Sequence, residues 1–181
     1  MAKVFPFRGT LYNNARGKIP HLNRLFTPPY DVIGSAEQNA FYEQHAFNYI
    51  RLILGQEFPQ DNEYNNRYVR AAAFLDGWLR HKIMLQDDKP AFYAYEQRFS
   101  AGGRKLVRFG FIGLCRLEDF GQGKVYPHEE TYPRAKLDRL LLMRATSANL
   151  EAVFALYNDE KNKVARTFKP FLKRKPLFEV T

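Results

Sequence analysis

Between Asp61 and Arg116 the hydrophobic period changes once, from helical to alternating, and that change narrows the possible folds more than any other feature. Tyr64, Tyr68, Ala71, Leu75, Trp78, Leu79 and Lys82 recur at helical spacing, which predicts one long helix over 62–84 capped by Asp61. After Pro90 the pattern alternates. Tyr93, Tyr95, Gln97 and Phe99 fall on one side and Phe92, Ala94, Glu96 and Arg98 on the other, which predicts a strand over 91–99. Ser100–Gly103 turns the chain back into a second strand over 105–116, where Gly110 and Gly113 mark bulges or a close backbone approach. A chain holding both periods is neither all-helical nor all-β. An α+β fold is expected: a mixed sheet with a long hairpin and flanking helices.

The remaining elements follow the same reasoning. Val4, Phe5 and Phe7 around Pro6 predict an edge strand over 4–10, and NYIRLILG over 48–55 reads as a buried strand in which Arg51 finds a salt bridge at the edge. AVFALY predicts a strand over 152–157, and Leu177–Val180 the start of another. Helices are expected over 35–46, opened by a Ser35/Gln38 capping box and closed by His45, and over 134–147 and 160–173. The 181 residues suit a single α+β domain, residues 1–181, with a core that needs no staple. Cys115, inside FGFIGLC, is expected to be a small buried core residue, and a lone cysteine suits a reducing, cytoplasmic setting. No run has the length of a membrane span, so no membrane partner is expected.

Lys and Arg number 28 against 19 Asp and Glu, a formal +9, which favours an anionic partner. Part of this excess lies between Glu160 and Lys175; a solvated helix face is the commoner cause of such a run, with a nucleic-acid patch as the alternative. Standard catalytic spacings are missing. The sequence has no HExxH, GxSxG, GxxxxGK[ST] or GxGxxG, and the four histidines are too scattered to argue a metal site.

What chemistry there is gathers at two proline-stiffened loops. Pro127 and Pro133 frame His128, Glu129, Glu130 and Thr131 on a short arch before a helix. In TPPYDVI two prolines present Tyr30 and Asp31, the aspartate being either a turn former or a functional carboxylate. The helix after the first loop carries a stripe of Leu137, Leu140, Leu141, Ala145 and Ala148, with Arg144 on or beside it. A guanidinium cannot lose its proton, so Arg144 meets Glu129, Asp31 or a ligand anion, or else snorkels to water.

PPYDVI at Pro28–Ile33, NYIRLILG at Asn48–Gly55, YPHEET at Tyr126–Thr131 and DRLLLMRATSANL at Asp138–Leu150 together resemble the domain-of-unknown-function family 1015, also called SerK-like. That family is similar to the ParB and sulfiredoxin fold, whose members include kinases of free serine. The resemblance implies a small-molecule phosphotransferase acting on serine or phosphoserine, with a nucleic-acid-binding or regulatory module without catalysis as the alternative. It implies catalytic roles for Asp31, His128 and Glu129, one carboxylate orienting the serine hydroxyl. Tyr30, Thr131, Arg139 and Arg144 would bind substrate, the cations meeting phosphate oxygens. Magnesium is the implied cofactor, the phosphate donor is left open, and the partner would be a phosphorylated small molecule before nucleic acid. Family members continue into a DGHHR segment that this chain lacks, so it is expected to match the N-terminal part of a longer member, incomplete at its C-terminus.

Overall fold

The structure, a computed structural model, describes residues 2–13, 21–119, 121–128 and 130–180. It is α+β, with five α-helices and three separate two-stranded antiparallel ladders among the described residues, in place of the expected mixed sheet. The chain divides into two compact units. The first comprises residues 1–10, 86–129 and 154–178, and the second residues 11–85, 130–153 and 179–181.

In the first unit the predicted hairpin forms from β4 (Tyr93–Ala101) and β5 (Arg104–Ile112), in register from Tyr93↔Ile112 to Ala101↔Arg104. Gly102 and Gly103, at φ 56° and 73°, make the two-residue turn whose twist matches the strands and which side chains with a Cβ resist. Pro6 cuts the expected first strand short: β1 (Val4–Phe5) pairs with β6 (Leu114–Cys115), and Phe7 bridges separately to Ala91. Gly113 is a close approach, since a Cβ there would lie 2.8 Å from the Phe92 ring and 3.2 Å from Phe5 O. Gly110 faces open space. Helix α5 (Lys163–Leu172) rests Phe168 on Phe109 and Phe111 of the hairpin, at ring separations of 5.9 and 5.3 Å.

Three expectations fail for one reason. Cys115 is exposed, not buried, because its ladder is only two residues long. Residues 152–157 form no strand among the described residues, and Val153 and Leu156 stand 89% and 88% exposed. An apolar run becomes a buried strand only where a neighbour supplies a ladder and a covering layer. Residues 177–180 likewise join no ladder.

The second unit is mainly helical, with one ladder between β2 (Thr10–Tyr12) and β3 (Met84–Gln86). Its helices are α1 (Ser35–Gln44), α2 (Ile50–Ile53), α3 (Arg67–Arg80) and α4 (Pro133–Thr146). The expected strand over 48–55 is instead the single turn α2. Buried Asn48 decides this: its Oδ1 accepts from Ile50 N at 2.9 Å and its Nδ2 donates to Arg24 O at 2.7 Å, which starts a turn where a strand would need extended backbone. Short apolar runs do not distinguish buried helix from buried strand by period. Arg51 on this turn meets carbonyls, not a carboxylate, donating to Ala46 O and Tyr42 O at 2.9 and 2.8 Å.

Helix α3 begins later than expected. Asn62 Oδ1 accepts from Tyr64 N and Asn65 N, and that local turn holds the chain out of helix until Asn66, whose Oδ1 caps Tyr68 N and Val69 N at 3.0 and 3.2 Å. Asp61, the expected cap, pairs with Arg70 at 2.7 Å. At α1, Gly34 N donates to Glu37 Oε2 at 3.0 Å in place of the Ser35/Gln38 box, while His45 closes the helix as expected. Leu25, Ile50, Leu52, Ala71, Trp78, Met84 and Leu142 form the core, with the Tyr12 ring among Phe26, Tyr49 and Trp78. Burial pushes the Tyr12 and Tyr49 hydroxyls well above their ordinary range; Tyr12 donates to Phe47 O and Tyr49 to Leu150 O, each at 2.7 Å.

Candidate functional site

Helix α4 carries the chemistry of the second unit. Its start follows directly from Pro133, which takes the first helical position where its missing N–H costs nothing. Tyr132 at the N-cap gives no side-chain cap, and the first turn holds no acid but does hold Arg134 and Lys136. The positive end of the helix is therefore left unneutralised within its own first turn.

A cleft of about 510 Å³ opens beside this helix end, lined by Tyr30, Arg67, Tyr68, Tyr132, Arg134 and Asp138 together with apolar side chains including Leu54 and Leu141. A smaller hollow of about 260 Å³ is lined by Thr27, Pro28, Pro29, Tyr49, Ile53 and Glu151. Thr27 Oγ1 is buried there with no hydrogen-bond partner among the described residues.

One side chain joins the walls of both. Arg139 donates from Nε to Asp138 Oδ2 at 2.9 Å, from Nη1 to Glu151, and from Nη2 to Ile53 O at 2.8 Å, and its guanidinium lies 3.7 Å over the Tyr30 ring. Glu151 in turn accepts from Tyr30 N at 3.3 Å. Asp138 also accepts from Tyr68 OH at 2.7 Å and pairs with Arg67, which reaches Glu57 at 2.9 Å. Partial burial pushes the Asp138 carboxyl up, but hydrogen bonds from Tyr68 and Arg139 and the charges of Arg139 and Arg67 outweigh it and hold the group below the usual carboxylate range. With two guanidiniums and a phenol on it, Asp138 is an anchor and not an available base.

Among the residues selected from sequence, Tyr30, Asp31, Thr131, Arg139 and Arg144 all belong to the second unit. Tyr30 lines the cleft, and exposed Asp31 follows it in the short 3-10 turn Tyr30–Val32. Thr131 is exposed just ahead of the α4 cap. Arg139 is the hub of the network, and Arg144 is exposed in the last turn of α4, where a cation suits the helix dipole. His128 is an exposed residue of the first unit, and Glu129 lies outside the described residues.

Sequence reasoning missed Arg67, Asp138, Arg134 and Glu151. The adjacent Asp138–Arg139 pair in the middle of a leucine-rich helix was a usable signal, since two opposite charges side by side among apolar residues need partners from other elements. Glu151 carried none, because it follows the helix in an irregular segment.

Magnesium is held by one or two carboxylates plus substrate phosphates, without an all-protein cage. Asp31 fits that donor set, having no ion-pair partner among the described residues, whereas Asp138 is already saturated. Those residues contain no cluster of three or more metal-ligating side chains, and none of their helices is long and apolar enough to cross a membrane. No curated protein and no solved structure matches the chain. Residues 4–181 match the family model described as "Protein of unknown function (DUF1015)", and the chain belongs to that family.

Proposed function

We propose that this chain is part of a small-molecule phosphotransferase of the free-serine-kinase type, and that the cleft beside α4 takes the phosphorylated ligand. The observation that carries the reading is the uncapped, acid-free N-terminus of α4 at a cleft lined by Arg67, Arg134 and three tyrosines. Backbone N–H groups at such a helix end bind phosphate oxygens, and Arg134, with no carboxylate partner among the described residues, adds charge without desolvating an existing pair. Phosphoryl transfer asks a protein mainly for positioning and charge neutralisation, so a site of this kind needs few catalytic groups.

In this reading Asp31 orients the serine hydroxyl and, with the ligand's phosphates, would hold a magnesium ion that neutralises the transferred group. The roles that the resemblance implies for His128 and Glu129 stay with the first unit and are not assigned to this cleft. Thr131 and Tyr30 contact the substrate, and Arg144 supplies outlying positive charge. Arg139 acts by holding Tyr30 and Glu151 in place.

The test has two parts. Titration calorimetry with O-phosphoserine should give an affinity that Arg134→Gln weakens about tenfold, the loss of one charge-assisted contact. Transfer to free serine and the reverse reaction from O-phosphoserine, assayed with magnesium and a panel of nucleotide and polyphosphate donors, should fall in Asp31→Asn and in Glu129→Gln. Unaltered binding in the arginine variant refutes the cleft assignment, and unchanged turnover in both carboxylate variants leaves Asp31 a turn former.

A further inference from the structure

The positive charge is not shared evenly. The first unit holds 16 Lys and Arg against 8 Asp and Glu, the second 12 against 11, so nearly all of the surplus falls in the first. Ion pairs have the opposite distribution. Arg67, Arg70, Arg80 and Arg139 all pair with carboxylates of the second unit, whereas between described residues of the first the ion pair present is Arg98–Glu96 at 2.8 Å. A surplus of cations that the unit's own carboxylates leave unmet repels itself and favours an anionic partner.

The hairpin β4–β5 arranges part of this surplus. On one face Tyr95 stands opposite Gly110, Gln97 opposite Arg108, Phe99 opposite Leu106, and Ala101 opposite Arg104. Ring and guanidinium thus alternate along the strands, with successive same-face positions about 7 Å apart. The opposite face is occupied, because Phe109 and Phe111 lie against Phe168 of α5. Tyr95 is 46% exposed, and a Cβ at its neighbour Gly110 would touch nothing within 4 Å, so the ring has open space beside it. Arg108 lies 5.2 Å over the Phe99 ring and 5.0 Å over Phe154, and its polar contact is a 3.5 Å hydrogen bond to Gln97 Oε1.

We propose that this hairpin face binds single-stranded nucleic acid, with a base stacking on the exposed Tyr95 ring and phosphates meeting Arg104 and Arg108, the latter held in place over Phe99. Charge selects a polyanion, and the rings select one with flat apolar units at short intervals. A duplex hides its base faces and offers these rings nothing. An anionic membrane would call for an amphipathic basic helix with a free apolar face; α5 commits Phe168 to the hairpin but leaves Phe171 and Leu172 exposed, so vesicles are the competitor to set against the oligonucleotide. The surface lies on the first unit and is independent of the cleft beside α4.

The experiment is fluorescence anisotropy of labelled 12-nucleotide oligothymidylate with the intact chain across a salt series. Two to four phosphate contacts predict a slope of log K against log salt of about −1.4 to −3. Tyr95→Thr, which removes the ring but keeps strand preference, and Arg108→Gln should each weaken binding about fivefold or more, with circular dichroism unchanged. Tyr95→Trp should retain or improve binding, and Lys136→Gln in the second unit should leave it as it was. The proposal is overturned by absence of binding at 50 mM salt, by salt-dependent binding that Tyr95→Thr does not weaken, or by vesicles of phosphatidylserine and phosphatidylcholine holding the protein more tightly than the oligonucleotide does.

Discussion

Replacing Arg139 by Met is the sharpest test of how the second unit is held together. The substitution keeps an unbranched, helix-favouring side chain and removes hydrogen bonds to Asp138, Glu151 and Ile53 O, along with the stack on Tyr30. The two carboxylates lose different amounts. Asp138 keeps Arg67 and Tyr68, whereas Glu151 keeps, among the described residues, its hydrogen bond from Tyr30 N. Breaking a fully buried pair by removing one partner costs about 3–5 kcal/mol. Here the side chains of Arg139, Asp138 and Glu151 are 23%, 14% and 24% exposed, so water recovers part of that loss and about 2–3 kcal/mol is expected. For a unit of this size such a loss lowers the melting temperature by roughly 8–20 °C. Arg139→Lys keeps the charge but cannot serve three acceptors at once, and should lose about half as much. The assay is urea unfolding followed by far-ultraviolet circular dichroism, with a double-mutant cycle between Arg139→Met and Glu151→Gln. A loss below about 0.5 kcal/mol, within the range of an ordinary exposed pair, would refute the hub.

Three further outcomes are expected. The lowered Asp138 carboxyl contributes stability that is fully present above its unfolded value, near 3.8, and is lost as the pH falls through the lower folded value; the urea midpoint should drop in acid, less steeply in Asp138→Asn than in the parent. Asn66→Ala removes the cap from Tyr68 N and Val69 N and should cost about 1 kcal/mol in the same assay. Thr27→Val deletes a buried hydroxyl that has no hydrogen-bond partner among the described residues and should stabilise the protein by about 1 kcal/mol.

The elements legible in the sequence are those whose signal is local. The hairpin follows from alternation and paired glycines, α3 from its period, although Asn62 and Asn66 delay its start, and α4 from Pro133, although its expected stripe does not form the buried face: Leu142 is buried while Leu137 and Leu140 stand exposed. Residues 48–55 and 152–157 could not be assigned in this way, because an apolar run states that it will be covered and not by what; Asn48, a polar residue at the head of one run, was the clue to a turn. In the candidate site Tyr30 and Arg139 were legible as ring and cation, but their mutual contact and the claim of Glu151 on both arise from tertiary packing.

The short ladder between β1 and β6 matters for how the protein is made. Val4 leaves the ribosome before its partner Cys115, which follows roughly 110 positions later. At about 5–20 residues per second the amino-terminal segment waits several seconds with its ladder partner unsynthesised, while the hairpin, whose strands are neighbours in sequence, closes as soon as it emerges. Closing so long a loop is offset by a ladder of two residues, so this contact is expected to open more readily than the nine-pair hairpin. The amides of Val4 and Phe5 should therefore exchange with solvent well before those of the hairpin, and a stressed chain offers this segment to a protease or chaperone before it offers the hairpin.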